Sequence, residues 1–288
     1  IIAKKQAFAD ATVETLILRF RNSAPSKKLI VNRWDLDDIS YEVNLEQITK
    51  ENDFKILEEI VALKTPNVLL VDASIYQNAG ANMVEQLAVS IAQANEYLSF
   101  FDTREGLEKI KTVTIKVAIG TNYFFEIAKL RALRILWNVL QEGYNTTMQL
   151  HIITEPTKRN KTLYGYNVNM LRTTTEGMSA VIGGANTVFN MPYDAIFHKS
   201  NDFGERIALN QLLLLKEESY LDKVNNPADG SYYIETITSQ LAENALELFK
   251  KIENKGGFLE SLQKGDIQQI IKNSALQEQE KFNADEEV

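Results

Sequence analysis

Apolar runs rich in β-branched residues recur along the chain at 27–34 (KKLIVNRW), 67–74 (NVLLVDAS), 112–120 (TVTIKVAIG), 148–156 (MQLHIITEP) and 179–190 (SAVIGGANTVFN). Most are continuous rather than alternating, which is the pattern of strands buried on both faces. Between them the apolar period changes to that of a helix. After Asn82, a residue suited to an N-cap, Val84, Leu87, Ala88, Ile91 and Leu98 recur at helical spacing. A second helix is predicted from Asn122 to about Gln141, stopping at Gly143, and its broad apolar arc implies packing on two sides. Strands alternating with helices through short connections form βαβ units around a parallel sheet. Beyond Asn190 the pattern is helical only, at about 202–221, 234–254 and 267–280. The turn formers of NNPADGSYY (225–233) separate the first two of these helices, and NKGGF (254–258) caps the second and begins the third. The class is α/β with barrel-like order.

Composition narrows the partners. With 288 residues, 44 % of them hydrophobic and 24 % charged, the chain has ample capacity for a buried core. A net charge of −8 argues against nucleic acid as a partner. The absence of cysteine excludes disulfides, thiolate metal sites and a cysteine nucleophile, and fits a reducing, cytoplasmic compartment. No stretch approaches the ~18 consecutive apolar residues of a membrane span, and the start, IIAKKQAFADATVETL, has no cleavable signal pattern. That start lacks an initiator Met and the end, EQEKFNADEEV, is polar, so both read as cuts through a longer chain.

Residues suited to catalysis are sparse. The loop after the second run offers Asp72, Ala73, Ser74, Ile75, Tyr76, Gln77 and Asn78, with no histidine and no second acid. Of the two histidines, His151 lies inside an apolar run and reads as a core or strand-end residue. His198 falls on a surface connection. Neither belongs to an HxH, HxxxH or D-x-H spacing, so no metal site is expected. The glycines of GGAN (183–186) match neither phosphate-binding fingerprint and are explained as well by tight packing or a bulge. Glu155 and Glu176 are the carboxylates that could pair as general acid and base, although nothing in the spacing brings them together. Glu217 and Glu218 read as a solvated helix face.

Collinear segments then carry a resemblance. NAGANMVEQLAVSIAQANEYL, GTNYFFEIAKLRALRILW, NMLRTTTEGMSAVIGGANTV, DFGERIALNQLLLLKEES and NPADGSYYIE resemble the acyl-CoA-binding barrel of the methylmalonyl-CoA mutase family, over residues 67–235. The resemblance implies a TIM (β/α)8-type barrel, incomplete at its N-terminal side, over residues 1–201. Helices over 202–288 would close the barrel and lead towards a linker, with the cobalamin-type domain absent from this chain. The family interconverts methylmalonyl-CoA and succinyl-CoA by a radical route using adenosylcobalamin. Some of its members pair a catalytic large chain with a related small chain that has lost the active site.

Carried over residue by residue, the resemblance implies a decayed site. The Tyr-His pair of catalytic chains falls on Ser74-Ile75, so the histidine that would hydrogen-bond the thioester carbonyl is an isoleucine. The Arg-x-Ser used towards coenzyme A falls on Thr112-Val113-Thr114, the barrel-mouth Gln is Glu155, and the Glu facing the adenosyl group is Ala195. The cobalamin motif D-x-H-x-x-G is absent. These losses imply a small, non-catalytic subunit that supports a homologous catalytic large subunit, with adenosylcobalamin on that partner and none on this chain. Two alternatives stand beside this reading: an active acyl-CoA mutase of altered specificity that uses Tyr76, Glu155 or Glu176 in new roles, and a stand-alone acyl-CoA-binding module. The helix with Tyr123, Phe124, Leu133, Leu136 and Trp137, and the helices over 234–249, offer faces for a partner, unless they pack on their own barrel. An incomplete barrel exposes strand edges, so the isolated piece is expected to self-associate.

Overall fold

A computed structural model describes residues 57, 58, 61, 69–103, 106–199 and 201–284, together with the backbone of 17–19, 28–32 and 40–44. Its centre is a parallel sheet of four strands in sequence order: β4 (Leu69–Asp72), β5 (Thr112–Ile119), β6 (Gln149–Pro156) and β7 (Thr187–Val188). Each is joined to the next through helix, as the alternation of periods predicts, and the pairing is parallel throughout. The architecture is α/β, an arc of a (β/α)8-type barrel. The run at 27–34 does not join it. There β2 (Lys28–Asn32) pairs antiparallel with β1 (Ile17–Arg19) and β3 (Ser40–Asn44) in a separate three-stranded sheet. An apolar run marks a strand but carries no information about the direction of its neighbours.

The run at 179–190 needs a second correction, because its first third is helix. Here α4 (Asn169–Ile182) turns Thr173, Glu176, Ser179 and Ala180 inward at helical spacing, leaving only two residues of strand. The adjacent glycines end this helix rather than cradle a phosphate. A Cβ on Gly183 would lie 2.8 Å from Leu130 Cδ1 and 3.2 Å from the Ile127 backbone, so glycine permits α4 to approach the preceding helix closely. That helix is α3 (Tyr123–Gly143), which buries Leu133, Leu136 and Trp137. It packs on α4 on one side and on α6 (Tyr232–Asn254) on the other, as its broad arc implies. Of the residues expected as a partner face on α3, Phe124 alone is exposed, and Tyr123 is half-buried. In α6 the apolar residues Ile234, Ile237, Leu241 and Ala245 are likewise buried, and the helix packs on α3 and α2 (Met83–Asp102).

Local signals account for the remaining boundaries. Asn82 caps α2 in a reciprocal box, accepting the Glu85 N–H at 3.0 Å and donating its own N–H to the Glu85 carboxylate at 3.0 Å. Between β4 and α2 lies α1 (Ser74–Ala79), too short to give a periodic signal; it starts where Asp72 accepts the Ser74 N–H at 3.2 Å. The helix expected at 202–221 forms as α5 (Asp202–Leu213), continued by a π-helical turn at Leu214–Glu218. The last helix, expected at about 267–280, forms as α8 (Asp266–Asn283), and a further helix, α7 (Gly257–Lys264), precedes it, divided from it at Gly265 with φ of 83°. Among the described residues no helix is long and apolar enough to cross a membrane.

Gly80 joins two of these features. Its φ of 118° lies in the region that favours glycine, and a Cβ there would sit 2.4 Å from Ala275 Cβ on α8. Gly80→Ala is expected to destabilise the chain by about 1–3 kcal/mol in urea unfolding, combining backbone strain and steric conflict. Ala275→Gly in the same chain should recover part of the loss, because it relieves the conflict and leaves the strain.

Candidate functional site

The two faces of the parallel sheet differ in chemistry. Leu69, Val71, Val113, Ile115, Val117, Ile119, Ile152 and Thr154 are at most 2 % exposed and make up the helix-covered face. In register on the opposite face stand Leu70, Thr114 and His151, then Asp72, Lys116, Ile153 and Thr187, then Ala118 and Glu155. In a closed barrel this face lines the interior, and the carboxyl ends of its strands form the mouth at which barrel enzymes place their chemistry.

A charged brace crosses the mouth end of this face. Lys116 Nζ lies 2.9 Å from Glu155 Oε2 on β6 and 3.6 Å from Asp72 Oδ2 on β4, with the three side chains between 6 % and 21 % exposed. The Ser74 hydroxyl donates to Asp72, fixing the carboxylate that ends β4. One layer towards the amino ends, His151 Nε2 is 3.0 Å from Thr187 Oγ1. Burial, with Arg134 nearby as a second cause, lowers the His151 pKa from its ordinary value and favours the neutral ring.

Two buried ion pairs fasten the loops around the mouth. Lys129 Nζ donates to Ala118 O at 2.7 Å and Gln86 Oε1 at 3.1 Å and pairs with Glu126 at 2.5 Å. Glu126 in turn accepts the Gly120 N–H at 2.8 Å, tying the first turn of α3 to the end of β5. After β6, Lys161 Nζ contacts the Glu176 oxygens at 2.7 and 2.8 Å, and Asn160 donates to the same carboxylate. Burial raises the Glu176 pKa and lowers that of Lys161, both towards the neutral forms, while the pairing opposes each shift.

The residues singled out from the sequence do not form one cluster. Ile75, on α1 directly after β4, is half-buried and packs against the core. Thr114, 5 % exposed, lies on the interior face beside His151. Glu155 stands at the mouth, bound to Lys116. Thr112 shares this face but opens β5 at its amino end, six residues before the level of Glu155, about 20 Å at the rise of a parallel strand. Ala195 is half-buried in the β7–α5 connection, donating its N–H to Pro192 O at 3.1 Å. Tyr76 is buried and donates to Gln93 Oε1 at 2.6 Å. His198 is largely exposed, with Nδ1 3.2 Å from Asp194 Oδ2. Asp72 and Lys116 were missed as a pair. The signal was a lone lysine within TVTIKVAIG, where a charge in a buried strand requires a partner.

A parallel sheet covered by helices on one face, with the Asp72–Lys116–Glu155 brace on the other, is the arrangement of a segment of a (β/α)8-type barrel. Residues 51–288 match the family described as methylmalonyl-CoA mutase, and the chain belongs to that family. It is 40 % identical over 225 residues to the methylmalonyl-CoA mutase small subunit of Porphyromonas gingivalis, covering 76 % of this chain and 36 % of that one. To the small subunit of Propionibacterium freudenreichii subsp. shermanii it is 32 % identical over 276 residues, covering 91 % and 42 %. To the methylmalonyl-CoA mutase of Rhizobium meliloti it is 32 % identical over 256 residues, covering 83 % and 35 %. The chain thus spans about a third to two fifths of the length of these curated relatives.

His151 gives the site a pH signature. The lowered pKa means that below the ordinary value of 6.5 the unfolded chain takes up a proton that the folded chain resists. This contribution to stability is therefore complete above pH 6.5 and is lost as pH falls towards the lower folded pKa. The thermal midpoint should fall through that window, and His151→Gln should flatten this part of the profile measured by circular dichroism.

Proposed function

We propose that this chain is a small, non-catalytic subunit of a methylmalonyl-CoA mutase and supports a homologous catalytic large subunit. The P. gingivalis and P. freudenreichii relatives are named small subunits of that enzyme. The observation that carries the reading is the mouth of the barrel. Where catalytic chains present a histidine to the thioester carbonyl, Ile75 is packed against the core and can donate nothing to an oxygen. A radical rearrangement needs its intermediates held by placed polar groups in a sealed site. Here the polar groups at the mouth are bound to one another: Glu155 to Lys116, and Glu176 to Lys161 and Asn160. Tyr76 is turned towards Gln93. These engagements weigh against an active mutase that uses Tyr76, Glu155 or Glu176 in new roles.

Adenosylcobalamin belongs to this reading as the cofactor of the large subunit, where it would supply the radical. The donor set of this chain does not fit an axial corrin ligand. His151 is turned onto Thr187 within the sheet, His198 is bonded to Asp194, and no D-x-H-x-x-G stands in the sequence. Among the described residues no cluster of three or more His, Asp or Glu is arranged to hold a metal ion. In this reading the chain contributes a surface. Phe124, Ile135 and Val139 on α3, and Tyr232 and Tyr233 at the start of α6, remain exposed after the rest of the apolar arc is buried. Phe124 and Tyr233 meet edge to face at 5.8 Å. Aromatic residues clustered in this way suit the core of a permanent interface, which typically buries roughly 2,000 Å² or more.

Co-expression with a large mutase subunit tests the reading. The two should elute as one complex, with cobalamin-dependent turnover abolished by removing the catalytic histidine of the large subunit. Ile75→His in this chain should add no turnover, because residues that act as a unit do not contribute singly. Turnover by this chain alone, supplied with adenosylcobalamin, would overturn the proposal.

A further inference from the structure

We propose that Lys116, clamped between Asp72 and Glu155, is the residue that closes the interior of this barrel to acyl-coenzyme A. The inference rests on the mutase-subunit reading and adds to it the fate of the acyl-binding surface. Its basis is the position of one side chain in the sheet. Lys116 lies at the level of Asp72 on β4 and of Ile153 and Thr187 on β6 and β7, two residues short of Glu155, on the face away from the helices. Its four-carbon stem lies along that face, and the ammonium reaches sideways to Asp72 at 3.6 Å and forward to Glu155 at 2.9 Å. The side chain thus bridges three consecutive strands on the face where the mutase-subunit reading places the acyl group.

Electrostatics adds to the steric effect. Two carboxylates around one ammonium leave the cluster with a net charge of −1, which repels the anionic ends of a carboxyacyl thioester. The ammonium is also already paired with Glu155 at 2.9 Å and lies 3.6 Å from Asp72, so recruiting it to a carbonyl would take a partly buried carboxylate's partner away. Asp72 is held in place by the Ser74 hydroxyl and the Ser74 N–H, so the brace is anchored at the end of β4 and not on a mobile arm. At this level the neighbouring position on β6 is Ile153, which offers no alternative donor.

Isothermal titration with propionyl-CoA, which carries no acyl carboxylate, tests the proposal. The unaltered chain should show no saturable binding, and neither should Lys116→Met, which removes the charge and keeps the stem. The triple variant Lys116→Ala, Asp72→Asn, Glu155→Gln clears the stem and leaves no net charge; it should bind saturably, at least about tenfold more tightly than the weakest affinity the titration detects, which neither of the other two reaches. Saturable binding to the unaltered chain would overturn the assignment whatever the variants do. So would a triple variant that retains the native circular dichroism spectrum yet binds no better than Lys116→Met. Should the triple variant fail to fold, Lys116→Ala with Glu155→Gln carries the same expectation and the same refutation. Binding without turnover would defeat this inference and leave the subunit reading intact, whereas turnover by the chain alone would defeat the reading itself.

Discussion

The helix-covered face of the parallel sheet is the constraint on which the remaining structure depends. Strands β4, β5 and β6 place Leu69, Val71, Val113, Ile115, Val117, Ile119 and Ile152 on that face with almost no exposure. Each such side chain contributes about 1.5–3 kcal/mol when fully buried, but only if a helix covers it. The sheet therefore requires α2 and α3, and those helices in turn require α6, whose Ile234, Ile237, Leu241 and Ala245 are buried. Their capping and ion-pair devices serve the same end. The Asn82–Glu85 box sets where α2 starts, and Glu126 with Lys129 fixes the first turn of α3 on the end of β5.

The opposite face is under a looser constraint, and it is there that relatives of one fold can differ in function. A polar group on the helix side must find its partner within the sheet, as the Thr154 hydroxyl does by donating to Thr187 O at 3.3 Å, and the rest of that side is apolar. On the interior side charges can persist if they are paired, and here Asp72, Lys116 and Glu155 pair with one another. Membership of the family follows from the match over residues 51–288, and a shared fold does not by itself carry an activity.

The same division separates what could be read from the sequence from what could not. The β/α alternation, the cap at Asn82, the end of α3 near Gly143 and the two-sided burial of α3 were all legible, because each depends on local spacing or on a single residue type. Three local readings were incomplete or wrong. The six-residue α1 has no period to detect, the valine and isoleucine of 181–182 suggested strand where α4 was still running, and NKGGF concealed two helices divided at Gly265.

Other features depended on contacts that no spacing encodes. The run at 27–34 is visible as a strand, but its antiparallel partners are chosen by long-range pairing. Leu133, Leu136 and Trp137 read from the sequence as core or as a surface for a partner, with core slightly favoured, and the packing of α3 against its neighbours decides for the core. For the candidate site, the sequence by itself determined which residue types were available: an isoleucine at position 75, an isolated Lys116, and two histidines at separate positions. The tertiary structure decided their partners. Lys116 reaches Asp72 and Glu155 only because a parallel register brings residues more than 35 positions apart to neighbouring levels of one face, and register is a property of paired strands that one strand's sequence cannot carry.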